Sequence, residues 1–317
     1  MRALRIVIPG GTGRLGTLLA RHFHERGHLV STITRFPKPH EWESVHWDAE
    51  TIGHWAAALE DADAVINLAG RPLNCRHTKA NKYAIVHSRV RTTELVGEAI
   101  SQCVRPPGVW LNASAAIVYR AALDREMDEA TGDLGEAVDF SSQAIQSWEA
   151  AALACQTPRT RKVLLRSAAV MSPDAGMTFD KLLRLVRWGL GGEVGDGEQY
   201  VSWIHDFDFV RAVDFLIARQ DMEGAVNVTA PVPMPNHQFM CNLRRAWCTS
   251  YFGLSAPEWL VKSAAFVLGT EPELFLKSQR VVPRRLLDAG FSFDFPGWRG
   301  ACENLVERWR RVTEQHR

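Results

Sequence analysis

Ala3-Leu4-Arg5-Ile6-Val7-Ile8-Pro9-Gly10-Gly11-Thr12-Gly13-Arg14-Leu15-Gly16 is the stretch whose reading decides the fold. Its apolar half is short enough for a buried strand and breaks into a glycine-rich turn. Beyond the turn, Leu15, Leu18, Leu19, His22 and Phe23 fall on one face of a helix. Strand, glycines and helix in that order supply the context that a Gly11-x-Gly13-x-x-Gly16 fingerprint needs; Gly10-x-x-Gly13-x-x-Gly16 is the second register in the same letters. One glycine makes the tight turn, one admits a pyrophosphate to the backbone, and one lets helix and strand pack closely. Free N–H groups and the helix dipole then favour an anion at the helix start. The stretch predicts a dinucleotide site at Gly10, Gly11, Thr12, Gly13, Arg14, Leu15 and Gly16.

Outward from this turn, the first helix stops near Gly27 and His28–Arg35 reads as a second strand. The residue closing that strand selects the cofactor, because an acidic group suits the ribose hydroxyls of NAD and an arginine suits a 2′-phosphate. Arg35 stands there, with Lys38 after it and Arg14 in the glycine turn, so the residues predict NADP(H). The competing reading is three solvated bases. Val45–Asp48 reads as a third strand with Asp48 near the adenine, and Asp63–Gly70 as a fourth that sets Leu68, Ala69 and Gly70 along the dinucleotide. A helix is expected over Thr78–Cys103, with Arg89 and Arg91 within it, whose plainer reading is a solvated helical face. Pro106-Pro107-Gly108 then precedes a fifth strand, Val109–Ser114. This alternation predicts an α/β fold, a doubly wound parallel sheet whose ligands lie beyond the carboxyl ends of the strands, where Ser114 falls.

Asp124–Asp139 reads as a loop, Phe140–Cys155 as a helix and Lys162–Met171 as a sixth strand. The composition then shifts to the glycine-dense segment Gly189–Gly197, followed by a strand over Tyr200–Ile204 and a helix over Asp208–Arg219 capped by Asp206. Beyond Val226-Asn227-Val228 the chain is mainly helical, ending with an amphipathic helix over Trp298–Val312. The expected division is a cofactor-binding core over 1–171 and a small, mainly helical C-terminal region over 172–317 that partly returns to the sheet.

The bulk numbers constrain partners. A chain of 317 residues, 46% apolar and 23% charged, with net charge +1, offers no electrostatic reason to bind nucleic acid or an anionic membrane. Cys75, Cys103, Cys155, Cys241, Cys248 and Cys302 show no CxxC and no ligand spacing, which predicts reduced thiols and no metal. No apolar run approaches the roughly 18 residues of a membrane span. A strand beginning almost at Met1 leaves no room for a signal peptide, so the expectation is a cytoplasmic monomer or homodimer acting on a small molecule.

With these segments placed, the sequence resembles the extended and atypical branch of the short-chain dehydrogenase/reductase superfamily. Within it, the chain is similar to epimerase-family proteins of the YfcH or SulA-like cell-division-inhibitor type. The resemblance rests on Gly10–Gly16, Thr34-Arg35, Asn67–Gly70, Ser88-Arg89-Val90 with Thr92-Thr93, and Ala113-Ser114-Ala115. It continues through Trp148-Glu149, Gly189–Gln199, Ser202–His205, Gln279–Pro283 and Gly290–Phe293, spanning nearly the whole chain. It implies a Rossmann-type NADP(H)-binding domain and a small C-terminal lobe covering a substrate cleft, with Thr34-Arg35 meeting the 2′-phosphate and Arg89 reaching the cofactor. It also implies an oxidoreductase or epimerase acting on a carbonyl or a nucleotide sugar.

One departure bears on the chemistry. The superfamily works with a Tyr-x-x-x-Lys pair whose tyrosine is an acid/base of lowered pKa. Counting back from Glu149 puts Ser141 in the tyrosine place and Ile145 in the lysine place. Smaller departures are Arg120, His77 and Met177, where the family has glycine, tryptophan and glycine. The remaining candidates each have a plainer reading. Ser114 either hydrogen-bonds a substrate carbonyl or satisfies local backbone, and Tyr119 is the nearest phenol able to give a proton. His205 either contacts substrate or fixes a loop, while Gln199 and Trp203 either line the substrate pocket or belong to the core. A cofactor-binding sensor or regulatory protein with little turnover is the alternative to an enzyme.

Overall fold

The computed structural model describes residues 2–247, 253–260 and 273–315. Seven parallel strands form one sheet: β1 (Arg5–Pro9), β2 (Leu29–Thr34), β3 (Glu43–His46), β4 (Ala64–Asn67), β5 (Val109–Ala115), β6 (Arg161–Ser167) and β10 (Gly224–Val228), in the order β10-β6-β5-β4-β1-β2-β3. The chain starts at the centre, builds outward through β2 and β3, then returns to extend the other side. The order therefore reverses beside β1. Nearly continuous burial of β1, β4 and β5 follows from covering both faces of the sheet.

Helix α1 (Arg14–Glu25) and helix α5 (Asp206–Ala218) cover one face, where Leu19, Phe23, Phe209, Val213 and Leu216 pack on Ile6, Ile8 and Ile66. Helix α2 (Lys79–Gln102) and helix α3 (Phe140–Ala154) cover the other, with Leu95, Val96, Ile100 and Trp110 in its core. A separate core joins α4 (Thr178–Arg187), α6 (Asn236–Ala246) and α9 (Trp298–Gln315). At its centre the Trp298 ring stacks on Phe239 at 4.0 Å and meets Trp203 edge-on at 4.9 Å. Two short helices, α7 (Glu273–Leu276) and α8 (Arg284–Asp288), lie between α6 and α9 in sequence.

Three expectations are corrected. The sixth strand does not run to Met171: β6 ends at Ser167, the Ala168 N–H bonds to Val228 O, and β7 (Ala169–Met171) leaves the sheet to pair with β9 (Trp203–His205). Tyr200–Ile204 is likewise two strands. Ser202 interrupts it by donating to Gln279 O and accepting from the Val281 N–H, so β8 (Tyr200–Val201) pairs instead with β11 (Met234–Pro235). Asp206 is not the residue before the helix but its first residue. His205 caps α5, its Nδ1 accepting from the Phe207 N–H at 3.1 Å, and Asp206 is drawn inward by Arg308. The Val226–Val228 segment forms β10 at the sheet edge beside β6. Among the described residues no helix is long and apolar enough to cross a membrane. Cys75, Cys103, Cys155, Cys241 and Cys302 carry free thiols, and Cys248 lies outside the described residues.

Candidate nucleotide site

The glycine turn closes onto the carboxyl ends of the central strands. Gly10 has φ +79°, and a Cβ there would stand 2.8 Å from the Ala69 nitrogen, so the β1 turn and the β4 turn touch through backbone. At Gly16 a Cβ would meet Gly11 Cα at 2.5 Å, which is the close helix-to-turn packing the motif requires. Gly13 occupies the N-cap of α1, and no side chain caps that end. The first N–H groups of α1 therefore keep their donors for an anion. Thr12 and Thr34 share a hydroxyl hydrogen bond of 2.7 Å, and Thr34 Oγ1 also accepts from the Phe36 N–H, tying the turn to the end of β2.

Arg35 and Lys38 are exposed just past that strand end, with the Arg35 guanidinium 5.7 Å from the Phe36 ring. Arg14 extends toward Gly176, where a Cβ would lie 2.6 Å from its terminal nitrogen. Leu15 is half-buried against the core beneath α1. Asp48 is exposed, and its carboxylate accepts from the Glu50 and Thr51 N–H groups and the Thr51 hydroxyl, which pulls its pKa down to about 2. Leu68 and Ala69 line the β4 turn, and Gly70 is exposed beyond it.

A buried amide network sets this turn. Asn67 and Asn112 are register partners on β4 and β5; Asn67 Nδ2 donates to Asn112 Oδ1 at 2.8 Å while its Oδ1 accepts from the Ala69 N–H. Thr93 of α2 joins them and accepts from the Trp148 indole at 2.8 Å. Neither Asn67 nor Asn112 is among the sequence-predicted site residues; the available signal was an asparagine within each of two adjacent buried apolar strands.

Arg89 is not on a solvated face. It is 5% exposed on the inner side of α2, its guanidinium 5.0 Å from the Trp148 ring, and Gly70 sits against it: a Cβ there would be 2.9 Å from Arg89 Cγ. One guanidine nitrogen donates to Ile85 O at 3.0 Å, Nε has no partner, and no carboxylate pairs with it among the described residues. Burial lowers its pKa to about 10, so it remains a cation at neutral pH. A buried cation without a counter-charge is costly, and an anionic ligand at Gly70 would supply one.

The other predicted residues divide between two places. Ser114 and Tyr119 join one buried chain of bonds: Ser114 Oγ donates to Glu149 at 2.5 Å, Glu149 is bidentate with Arg166 at 2.7 and 2.8 Å, Arg166 donates to the Tyr119 hydroxyl, and Tyr119 donates to Asn227 at 3.0 Å. Burial raises the Tyr119 pKa above the ordinary phenol value. Gln199, Trp203 and His205 are buried in and around the C-terminal core. Gln199 donates to Val194 O, Trp203 packs on Trp298, and the His205 ring stacks on Phe295 at 3.9 Å and pairs with Asn304. Burial pulls His205 down to about 4, leaving it neutral. The structure thus gathers the glycine turn, Thr34-Arg35, the β4 turn and Arg89 along the sheet edge. Ser114 and Tyr119 are engaged in their own buried network from the end of β5, and Gln199, Trp203 and His205 are engaged in and around the C-terminal core. Two surface cavities of about 280 Å³ lie elsewhere, one between α1, α5 and α9 and one between α2 and α3.

An open parallel sheet that reverses its order beside an uncapped, glycine-entered helix defines a dinucleotide-binding protein of the Rossmann class. Comparison with known proteins narrows this. Residues 6–229 match the NAD dependent epimerase/dehydratase family, and residues 256–305 match a domain of unknown function, DUF1731. Epimerase family protein SDR39U1 from Homo sapiens is 32% identical over 308 residues, covering 96% of this chain and 100% of its own. An epimerase family protein of Mycobacterium leprae is 34% identical over 291 residues, 91% of each chain. The crystal structure of human SDR39U1 (isoform 2) with NADPH superposes with a TM-score of 0.85 at 31% identity, covering 96% of this chain and 99% of that one. The chain belongs to the NAD dependent epimerase/dehydratase family.

Proposed function

We propose that this chain binds NADP(H) at the glycine turn and works, as a cytoplasmic monomer or homodimer, as a reductase or epimerase on a small carbonyl or nucleotide-sugar substrate. The observation that carries the binding is Arg89, a buried cation lacking a counter-charge against Gly70, a short step from backbone donors that no side chain caps. The N–H groups at the start of α1 hold the diphosphate, Arg35 grips the 2′-phosphate beside Thr34, and Leu68, Ala69 and Gly70 lie along the dinucleotide. Arg89 neutralises charge from the α2 side. The reduced nicotinamide, when bound, supplies hydride. The human relative's crystal structure with NADPH supports the same cofactor here.

A sensor with little turnover is the second reading. It is favoured by the two places at which the superfamily keeps its tyrosine and lysine, since Ser141 and Ile145 there are both buried. Calorimetry with NADPH and NADH on the folded chain tests the binding. Tight NADPH binding is expected, with Arg35→Asp weakening NADPH at least tenfold more than NADH. Equal losses would remove the 2′-phosphate role, and absence of heat with either would overturn the reading.

A further inference from the structure

Ser141 at the start of α3 is surrounded by charge from distant parts of the chain. Asp139, the N-cap of α3, accepts from the Ser142 N–H at 2.9 Å and is ion-paired with Lys277, whose side chain is 5% exposed. Lys277 Nζ also donates to Ile117 O at 2.8 Å, in the single turn that follows β5. Four residues before Lys277, Glu273 of α7 accepts from Ser141 Oγ at 3.4 Å and shares a hydrogen bond with Asp139. Nearby, His77 and Lys82 face the ring of Phe140, beside Ser141 in sequence. All of this stands just past the carboxyl end of β5, on the sheet edge where ligands of such folds lie.

Two carboxyl groups that hydrogen-bond each other must share a proton, and the ammonium decides which one keeps it. Burial alone would raise Asp139, but Lys277 and the Ser142 N–H outweigh it and hold Asp139 below the ordinary carboxylate value. Glu273 is left with the proton: burial first, then the neighbouring Asp139 charge, push it up to about 7 against the opposing pull of Lys277 and Ser141. A carboxyl balanced near neutral pH, partly open to solvent and touching a hydroxyl, can both give and take a proton.

We infer that Glu273 is the acid/base of this sheet edge, with Asp139, Lys277 and the buried Ser141 hydroxyl as positioning residues. The inference rests on the cofactor reading above. In the reducing direction the Glu273 O–H bond breaks and a new O–H bond forms on the substrate carbonyl oxygen, as the carbonyl carbon takes hydride from a reduced nicotinamide. The Glu273 carboxylate then recovers its proton from water.

Carbon-13 NMR of the full chain, labelled at glutamate side-chain carboxyls, reads the site without turnover. One resonance is expected to titrate near pH 7, to vanish in Glu273→Gln and to move down by at least one pH unit in Asp139→Asn. Titration of every glutamate in the ordinary range overturns the inference. NADPH fluorescence separates the two claims. A wild type that binds no NADPH sinks the proposed function, whereas binding within twofold in Glu273→Gln is expected if both stand. Reduction of a panel of aldehydes and α-diketones by NADPH should fall as pH rises through about 7. Turnover should drop at least 100-fold in Glu273→Gln, with KM little changed and partial recovery in Glu273→Asp. A chain that binds NADPH but reduces none of them, or a Glu273→Gln variant as fast as wild type, overturns the catalytic role. Should Glu273→Gln fail to fold, Glu273→Asp removes the same glutamate resonance, and Asp139→Asn still reads the Glu273 midpoint directly.

Discussion

The turn after β1 and the turn after β5 stand on the same edge of one sheet, yet they are built in opposite ways. The first is local: Gly10, Gly13 and Gly16 lie within seven residues, and backbone donors do the work. The second is assembled from far apart, with Ile117, Asp139, Ser141, Glu273 and Lys277 meeting across more than half the chain. A diphosphate site needs amides at fixed spacing, which a short sequence can encode. An acid/base site needs charges in a chosen electrostatic setting, and any element that reaches the place can bring them.

On the side of the sheet away from β1 runs the Ser114–Glu149–Arg166–Tyr119–Asn227 chain, which clamps β5, α3, β6 and β10 together. If it is structural, Glu149→Gln should give the largest effect, leaving the buried Arg166 without its counter-charge at a cost of about 3–5 kcal/mol in denaturant-measured stability. NADPH affinity of the folded fraction should hardly change. A stable Glu149→Gln protein that has lost cofactor binding would move this network into the site and break the contrast.

Arg89 sharpens the other side of the comparison. Replacing it with methionine removes a buried cation that has no carboxylate partner among the described residues, so thermal stability should hold or rise while NADPH binding weakens about 10- to 100-fold, roughly 1.4–2.7 kcal/mol. Loss of stability with unchanged NADPH affinity, measured by melting and calorimetry side by side, would instead make Arg89 a packing residue. The smallest expected effect on cofactor binding and turnover belongs to Tyr119→Phe. It unmakes bonds to Arg166 and Asn227, costing about 1–3 kcal/mol of stability, and should leave any NADPH-dependent turnover within a few-fold. A hundredfold fall in turnover at unchanged stability would restore the phenol as a proton donor.

Much of the fold was legible because its signals repeat locally. The periodicity around Leu18, Leu19 and Phe23 and the run Ile6-Val7-Ile8 each name their own element. Misreadings came where one residue's partner lay elsewhere. Ser202 looked like the middle of a strand until Gln279 and Val281 claimed its hydroxyl, and Asp206 looked like a cap until Arg308 drew it inward. Arg89 looked solvated because α2 carries apolar and charged residues on mixed faces, and its burial under Gly70 depends on how α2 lies on the sheet. Ser114 sits at a strand end as expected, but where its hydroxyl points was set by Glu149, thirty-five residues away.

By itself the sequence determined the sheet's opening strand, the glycine-entered helix and the arginine that follows β2, since backbone conformation and residue type suffice for those. Tertiary structure alone decided which buried charges met an opposite charge among the described residues and which did not: Arg166 met Glu149, Arg89 met no carboxylate, and Glu273 came to rest beside Asp139. The physical reason is that electrostatic energy depends on distance and solvent exclusion. Neither is written in the order of residues.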